Sequence, residues 1–159
     1  MRKVLKIRAL GLTILIIMFI TGCSLASDYQ NSIFVDDSKI IKEADSYVYG
    51  SRRGQVEVNQ SNLEFINFTG METIYKIKSH GKNDVVFVFD SIIKGGEFKV
   101  VVITPDDEVI NIINDTQEGS ETVQIKEGIS RVKLVGRKAK GEVTLKIDSN
   151  DNIEVEQVD

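Results

Sequence analysis

The sequence predicts an all-β fold: an antiparallel two-sheet β-sandwich, jelly-roll-like or immunoglobulin-like, over residues 47–150. Three observations predict it. Side chains alternate apolar and polar with a period of two. Two short segments are apolar on both faces. Turn-forming residues recur at intervals of roughly 8–14 residues, the rhythm of a sandwich or barrel. The chain has 159 residues, 42% hydrophobic and 28% charged, enough for one globular domain.

Alternation places one side of a strand on a core and the other in water. Val56 and Val58 alternate with Gln55, Glu57 and Asn59, and Tyr75 and Ile77 with Lys76 and Lys78. Phe98, Val100 and Val102 share one side of residues 97–103. Val123 and Ile125 follow the same rule, as do Val132 and Leu134, and then Val143, Leu145 and Ile147. The doubly apolar segments Val85–Phe89 and Val100–Ile103 are rich in β-formers and read as central strands. Turns are expected at Gly70, Gly81, Gly95-Gly96, Pro105, Gly119, Gly128 and Gly136. Thr104-Pro105-Asp106-Asp107 suits a type I turn, and Gly95-Gly96 a tight hairpin. This gives eight or nine strands between residues 55 and 148. Gly96–Asp106, Gly128–Gly136 and Ala139–Val143 together look like the strand–turn pattern of small extracellular bacterial β-sandwich domains. That general likeness assigns no functional residue.

The N-terminus obeys different rules. Arg2, Lys3, Lys6 and Arg8 precede the uncharged run Ala9–Gly22, whose 14 residues fall short of the roughly 20 a spanning helix needs. A basic stretch followed by a short apolar core describes a secretory signal, residues 1–22. Ile20-Thr21-Gly22-Cys23 then resembles the lipobox of bacterial lipoproteins: an aliphatic residue, two small ones and a cysteine. The resemblance covers residues 1–23. It implies cleavage between Gly22 and Cys23, and a diacylglycerol on the Cys23 sulfur as the only attached group, with no other cofactor. It also implies that the membrane is a partner through that anchor, on the extracytoplasmic face. One acyl chain binds a bilayer marginally, whereas two or three hold it stably. Residues 23–46 read as the lipidated cysteine and a polar tether, with one or two helical turns over Ser38–Asp45. Residues 151–159 read as a frayed polar tail.

Charge narrows the partners. Four of the 20 basic side chains and none of the 24 acidic ones lie in residues 1–22, which leaves 16 against 24 and a net −8 for the rest. Nucleic acid is a poor match for such a body. Residues 126–146 run against this trend, with seven basic and two acidic side chains. Arg131 and Lys133 are expected to face outward opposite Val132 and Leu134, and Arg137, Lys138 and Lys140 to occupy the following turn. Together they form a candidate patch for an anionic envelope polymer or an acidic envelope protein.

Catalytic chemistry is sparse. The single His80 sits in a polar turn, without a nucleophile motif beside it. Asp36-Asp37 and Asp106-Asp107-Glu108 read as solvated acids rather than a glycosidase pair. Asp148–Glu154 spaces its oxygens like a calcium loop but has Ile153 where the loop needs glycine. One cysteine and one histidine cannot build a zinc cluster. Tyr47 and Tyr49 are the clustered tyrosines available to a sugar platform, and there is no tryptophan. The reading that follows is a non-enzymatic, membrane-anchored binding or scaffolding module. A glycan- or small-ligand-binding module is the alternative, and a hydrolase is further behind.

Overall fold

The computed structural model describes residues 25–158, so the expected signal peptide and Cys23 lie outside the described residues. Two short helices come first: α1 (Asp28–Ile33) and α2 (Asp37–Ile40). Eight strands follow: β1 (Ser46–Val48), β2 (Ser51–Glu57), β3 (Gln60–Ser79), β4 (Asn83–Ile103), β5 (Val109–Asn114), β6 (Gln117–Ile125), β7 (Gly128–Asp148) and β8 (Ile153–Gln157). Every pairing is antiparallel. The order is β1-β3-β7-β4-β5, with β2 and β8 also on β3, and β6 also on β4.

Strands β3, β4 and β7 are 20, 21 and 21 residues long, several times the usual strand. Each serves both layers of the sandwich. The first half of β3 pairs with β2 and the second half of β7, whereas its second half pairs with β1, β8 and the first half of β7. Strand β4 passes from β6 to β5 in the same way. One layer is therefore β2, β6 and the halves of β3, β4 and β7 that pair with them. The other is β1, β5, β8 and the remaining halves. Strands that change layers do so at bulges. The register slips between Phe65 and Gly70 on β3 and between Ile93 and Glu97 on β4. A left-handed residue marks each bend: Asn67 (φ 54°), Gly96 (φ 73°) and Lys138 (φ 54°). At Gly96 a Cβ would lie 2.2 Å from the Lys138 carbonyl oxygen, so two of the bends touch through a position only glycine can fill.

Several expected turns are corrected by this arrangement. Gly95-Gly96 is not a hairpin but the bend of one continuous strand. Gly70 and Gly136 lie inside β3 and β7, and Gly119 inside β6. Arg137–Lys140 is likewise a mid-strand bend and not a turn. A glycine marks a bend as well as a reversal, and composition alone does not distinguish them. Gly81 and Pro105 do lie between strands, Gly128 opens β7, and Asp107 N donates to Thr104 O at 3.0 Å to close the expected turn.

The alternation holds except at Val58, which is exposed in the turn between β2 and β3. Leu63, Phe65, Val85, Phe87, Leu145 and Ile147 of one layer share a single buried cluster with Tyr75, Val100, Val102, Val132 and Leu134 of the other. At the bends, Phe65 stacks on Phe98 with ring centroids 4.8 Å apart, and Tyr49 stacks on Phe68 at 4.5 Å. Offset aromatic pairs of this kind add to the area they bury.

The tether expectation is corrected over residues 28–41. The outer face of the second layer carries Met71, Val101, Ile103 and Val135, which are apolar. Ile33 and Ile40, both fully buried, cover it together with Phe34 and Ile41. Ser27 caps α1 reciprocally: its Oγ accepts from Gln30 N at 3.1 Å, and its N–H donates to Gln30 Oε1 at 2.9 Å. Asp36 Oδ1 accepts from Ser38 N at 3.1 Å and caps α2. The frayed tail is corrected too, because residues 153–157 pair with Tyr75–Ser79. Among the described residues no helix is long and apolar enough to cross a membrane.

Candidate ligand-binding site

The outer face of the second layer changes character along its length. Under α1 and α2 it is apolar. Next comes Lys133, fully buried, whose Nζ donates to Asp45 Oδ1 at 2.9 Å and to Lys42 O at 2.6 Å. Asp45 also receives Thr73 N at 2.8 Å and Thr73 Oγ1 at 2.9 Å. The carboxylate therefore ties the segment after α2 to β3 and β7 at once. Burial pulls the Lys133 amine below its ordinary pKa, and the Asp45 contact opposes that shift.

Beyond Asp45 the cover stops and the face opens into a pocket of about 760 Å³. Arg131 forms part of its wall, with Lys76, Glu43, Asp107 and Ile129 around it. The Arg131 side chain is only 13% exposed. Its Nη2 donates to Asp107 Oδ1 at 3.3 Å, while Nη1 is buried and has no hydrogen-bond partner. A buried donor without an acceptor is costly, and here it belongs to a group shaped for carboxylates or phosphates.

The five residues of the expected basic patch do not form one. Arg131 and Lys133 do lie opposite Val132 and Leu134, as alternation requires, but that face is roofed by the N-terminal segment and not by water. Lys133 is consequently buried, and Arg131 is mostly buried beside Asp107. Arg137, at the bend of β7, pairs with Glu97. Lys138 and Lys140 are exposed, with no carboxylate within 4 Å among the described residues. The five side chains therefore do not share one exposed surface.

Other candidates resolve into structural roles. His80 Nε2 lies 3.0 Å from Glu154 Oε1, and Lys78 Nζ reaches Glu154 Oε2 at 3.2 Å, so the pair fastens β8 to the end of β3. The nearby Ser79 hydroxyl donates to Gly81 O at 2.6 Å. Asp106 pairs with Lys126 and Asp107 with Arg131. Tyr49 is not a free platform: its hydroxyl donates to Glu72, which also holds Arg52 Nη2 at 3.2 Å. Of these two tyrosines Tyr47 is the exposed one, at 45%. Among the described residues no group of three or more His, Cys, Asp or Glu side chains could hold a metal ion.

The outer face of the first layer carries a polar row beside the exposed Val88 and Ile92. Cross-strand neighbours Gln55, Asn62, Thr144, Asp90 and Glu118 form one row across five strands. A shallow pocket of about 550 Å³ lies over part of this face.

The sequence reading missed Asp45, Thr73, Glu43 and the role of Asp107. No local signal marks them, because the Lys133–Asp45 contact joins residues 88 positions apart. Arg131 was found as a basic strand residue, but its unpaired nitrogen is a property of the assembled pocket.

No protein-family description and no curated protein matches the chain. Among solved structures, the enzymatically active domain of bacteriophage CBA120 tailspike protein 4 has 7% identity and a TM-score of 0.39, over 84% of this chain and 21% of that one. A CBM4 structure has 7% identity and a TM-score of 0.35, over 73% of this chain and 81% of that one. Procruciferin, an 11S globulin from Brassica napus, has 17% identity and a TM-score of 0.28, over 79% of this chain and 31% of that one. The chain thus spans about a fifth of the tailspike chain and about four-fifths of the CBM4 one. These distant likenesses carry no argument about what the chain binds or does; its all-β, antiparallel sandwich rests on its own strand pairing.

Proposed function

We propose that this chain is a lipid-anchored lipoprotein on the extracytoplasmic face of a bacterial membrane, where its β-sandwich acts as a non-enzymatic binding or scaffolding module. The observation that carries the reading is Ile20-Thr21-Gly22-Cys23 immediately behind a basic stretch and a 14-residue uncharged run. The fold adds a spatial consequence. Helix α1 begins at Asp28, so the four residues 24–27 span at most about 14 Å when extended. Because residues 28–41 are packed on the sheet, the body sits against the bilayer rather than at the end of a long leash.

The test uses the full chain expressed in a bacterium. Mass spectrometry should find diacylglycerol on Cys23 and no residues before it, with the protein in the membrane fraction. The Cys23→Ala variant should keep its first 22 residues through lack of lipobox cleavage and carry no acyl mass. A wild-type chain with a bare sulfur, recovered in the cytosol, overturns the proposal.

The polar row Gln55-Asn62-Thr144-Asp90-Glu118 favours a glycan-binding reading as the alternative. Saturable retention on a neutral polysaccharide column that is lost in Asn62→Ala and Asp90→Ala would support it. Free passage of the wild-type chain would remove it.

A further inference from the structure

We propose that the pocket beside Arg131 binds a small zwitterion, a short peptide with free ends being the fitting class. The inference rests on the reading of this chain as a binding module and names what one site takes, independently of whether Cys23 carries lipid.

A half-paired guanidinium stands in the pocket wall. Arg131 gives one arm of its guanidinium to Asp107 and leaves Nη1 buried without a partner. A planar guanidinium is completed by a carboxylate or phosphate oxygen, which accepts in the plane of the fork. Charge selects between the two. Glu43, Asp45 and Asp107 line the pocket, as do Lys76 and Arg131, and Lys133 lies beneath Asp45. Asp45 is matched by Lys133, and Asp107 by Arg131. This leaves one side chain of each sign, Glu43 and Lys76, and among the described residues neither is in an ion pair. A doubly charged phosphate would meet three carboxylates in a site of no net positive charge. A monocarboxylate that also carries an ammonium meets complementary groups at both ends: the exposed part of the Arg131 guanidinium and Lys76 for the carboxylate, Glu43 and Asp107 for the ammonium. The volume of about 760 Å³ lies within the range of small-molecule sites. Pro105 and the exposed Ile129 give its wall an apolar section for small side chains.

The test is a titration of the full chain in detergent micelles, followed by amide chemical shifts. The probes are L-alanyl-L-alanine, its N-acetyl amide, acetate and inorganic phosphate. The free dipeptide is expected to give saturable shifts around Arg131, Thr73 and Asp107, and the blocked dipeptide to bind at least tenfold more weakly. Arg131→Gln and Glu43→Gln should each weaken the dipeptide at least fivefold. Glu43 is exposed on the rim, so its variant carries the test if Arg131→Gln fails to fold. Absence of saturable shifts with the dipeptide overturns the proposal. So does equal binding of the blocked form, or displacement of the dipeptide by equimolar phosphate. A failed lipidation assay leaves this result standing, and a failed titration leaves the anchor standing.

Discussion

Lys133 Nζ and Asp45 Oδ1 meet at 2.9 Å beneath the N-terminal segment, where the lysine has no solvent exposure and the aspartate side chain keeps 22%. The contact fixes where the helical cover of the sheet ends and where the open pocket begins. It also joins the part of the chain nearest the expected anchor to the middle strand of the sandwich.

The two partners of that contact should respond unequally to removal. Asp45→Asn leaves a buried ammonium without its counter-charge, an error that costs about 3 kcal/mol or more. Lys133→Met leaves behind an aspartate that is partly exposed and still receives two hydrogen bonds from Thr73, so it should cost less than Asp45→Asn. Urea unfolding of the two variants and the double variant checks this. The double variant should be more stable than Asp45→Asn alone, and a double variant no better than that single one contradicts the account.

Gly96 should not tolerate a side chain. Alanine there combines a φ of 73° with a Cβ placed 2.2 Å from the Lys138 carbonyl oxygen. A non-glycine residue in a strained backbone region costs about 1–3 kcal/mol before any clash is counted. Gly96→Ala should lower the thermal midpoint well below that of Gly95→Ala, whose added Cβ meets nothing within 4 Å. Equal midpoints would show that the bends of β4 and β7 are not in contact.

Acid should loosen the end of β8 through Glu154. A hydrogen bond with His80 and then one from Lys78 hold its carboxyl below the ordinary value of 4.5. The folded chain therefore binds fewer protons at this group than the unfolded chain does, and stability rises with pH there. The contribution is in place above pH 4.5 and is lost as the pH falls through the lowered value. Glu154→Gln should flatten the acid limb of the stability curve, most visibly in amide exchange at Ile153–Gln157. An unchanged acid limb contradicts the assignment.

The sequence alone carried the fold class and the inner faces of β3, β4, β6 and β7. Val132 and Leu134 face the core because a strand turns its side chains over every second residue, a rule that needs no knowledge of neighbours. The Thr104–Asp107 turn was equally legible, since proline presets the local dihedral. The lipobox likeness is also local and remains a reading of sequence. The capping box Ser27–Gln30 was there to be read but was masked by the polar composition around it. Three outcomes belonged to the tertiary structure. Glycines that resemble turns became bends, because β7 runs alongside both halves of β3 and β4. Lys133 became buried on a face predicted to be wet, because Ile33 and Ile40 return to cover the apolar half of that face. Arg131 came to pair with Asp107, 24 positions away, and kept its other terminal nitrogen buried and unpaired. Periodicity says which side chains share a face; what lies over that face depends on contacts between residues far apart in the chain.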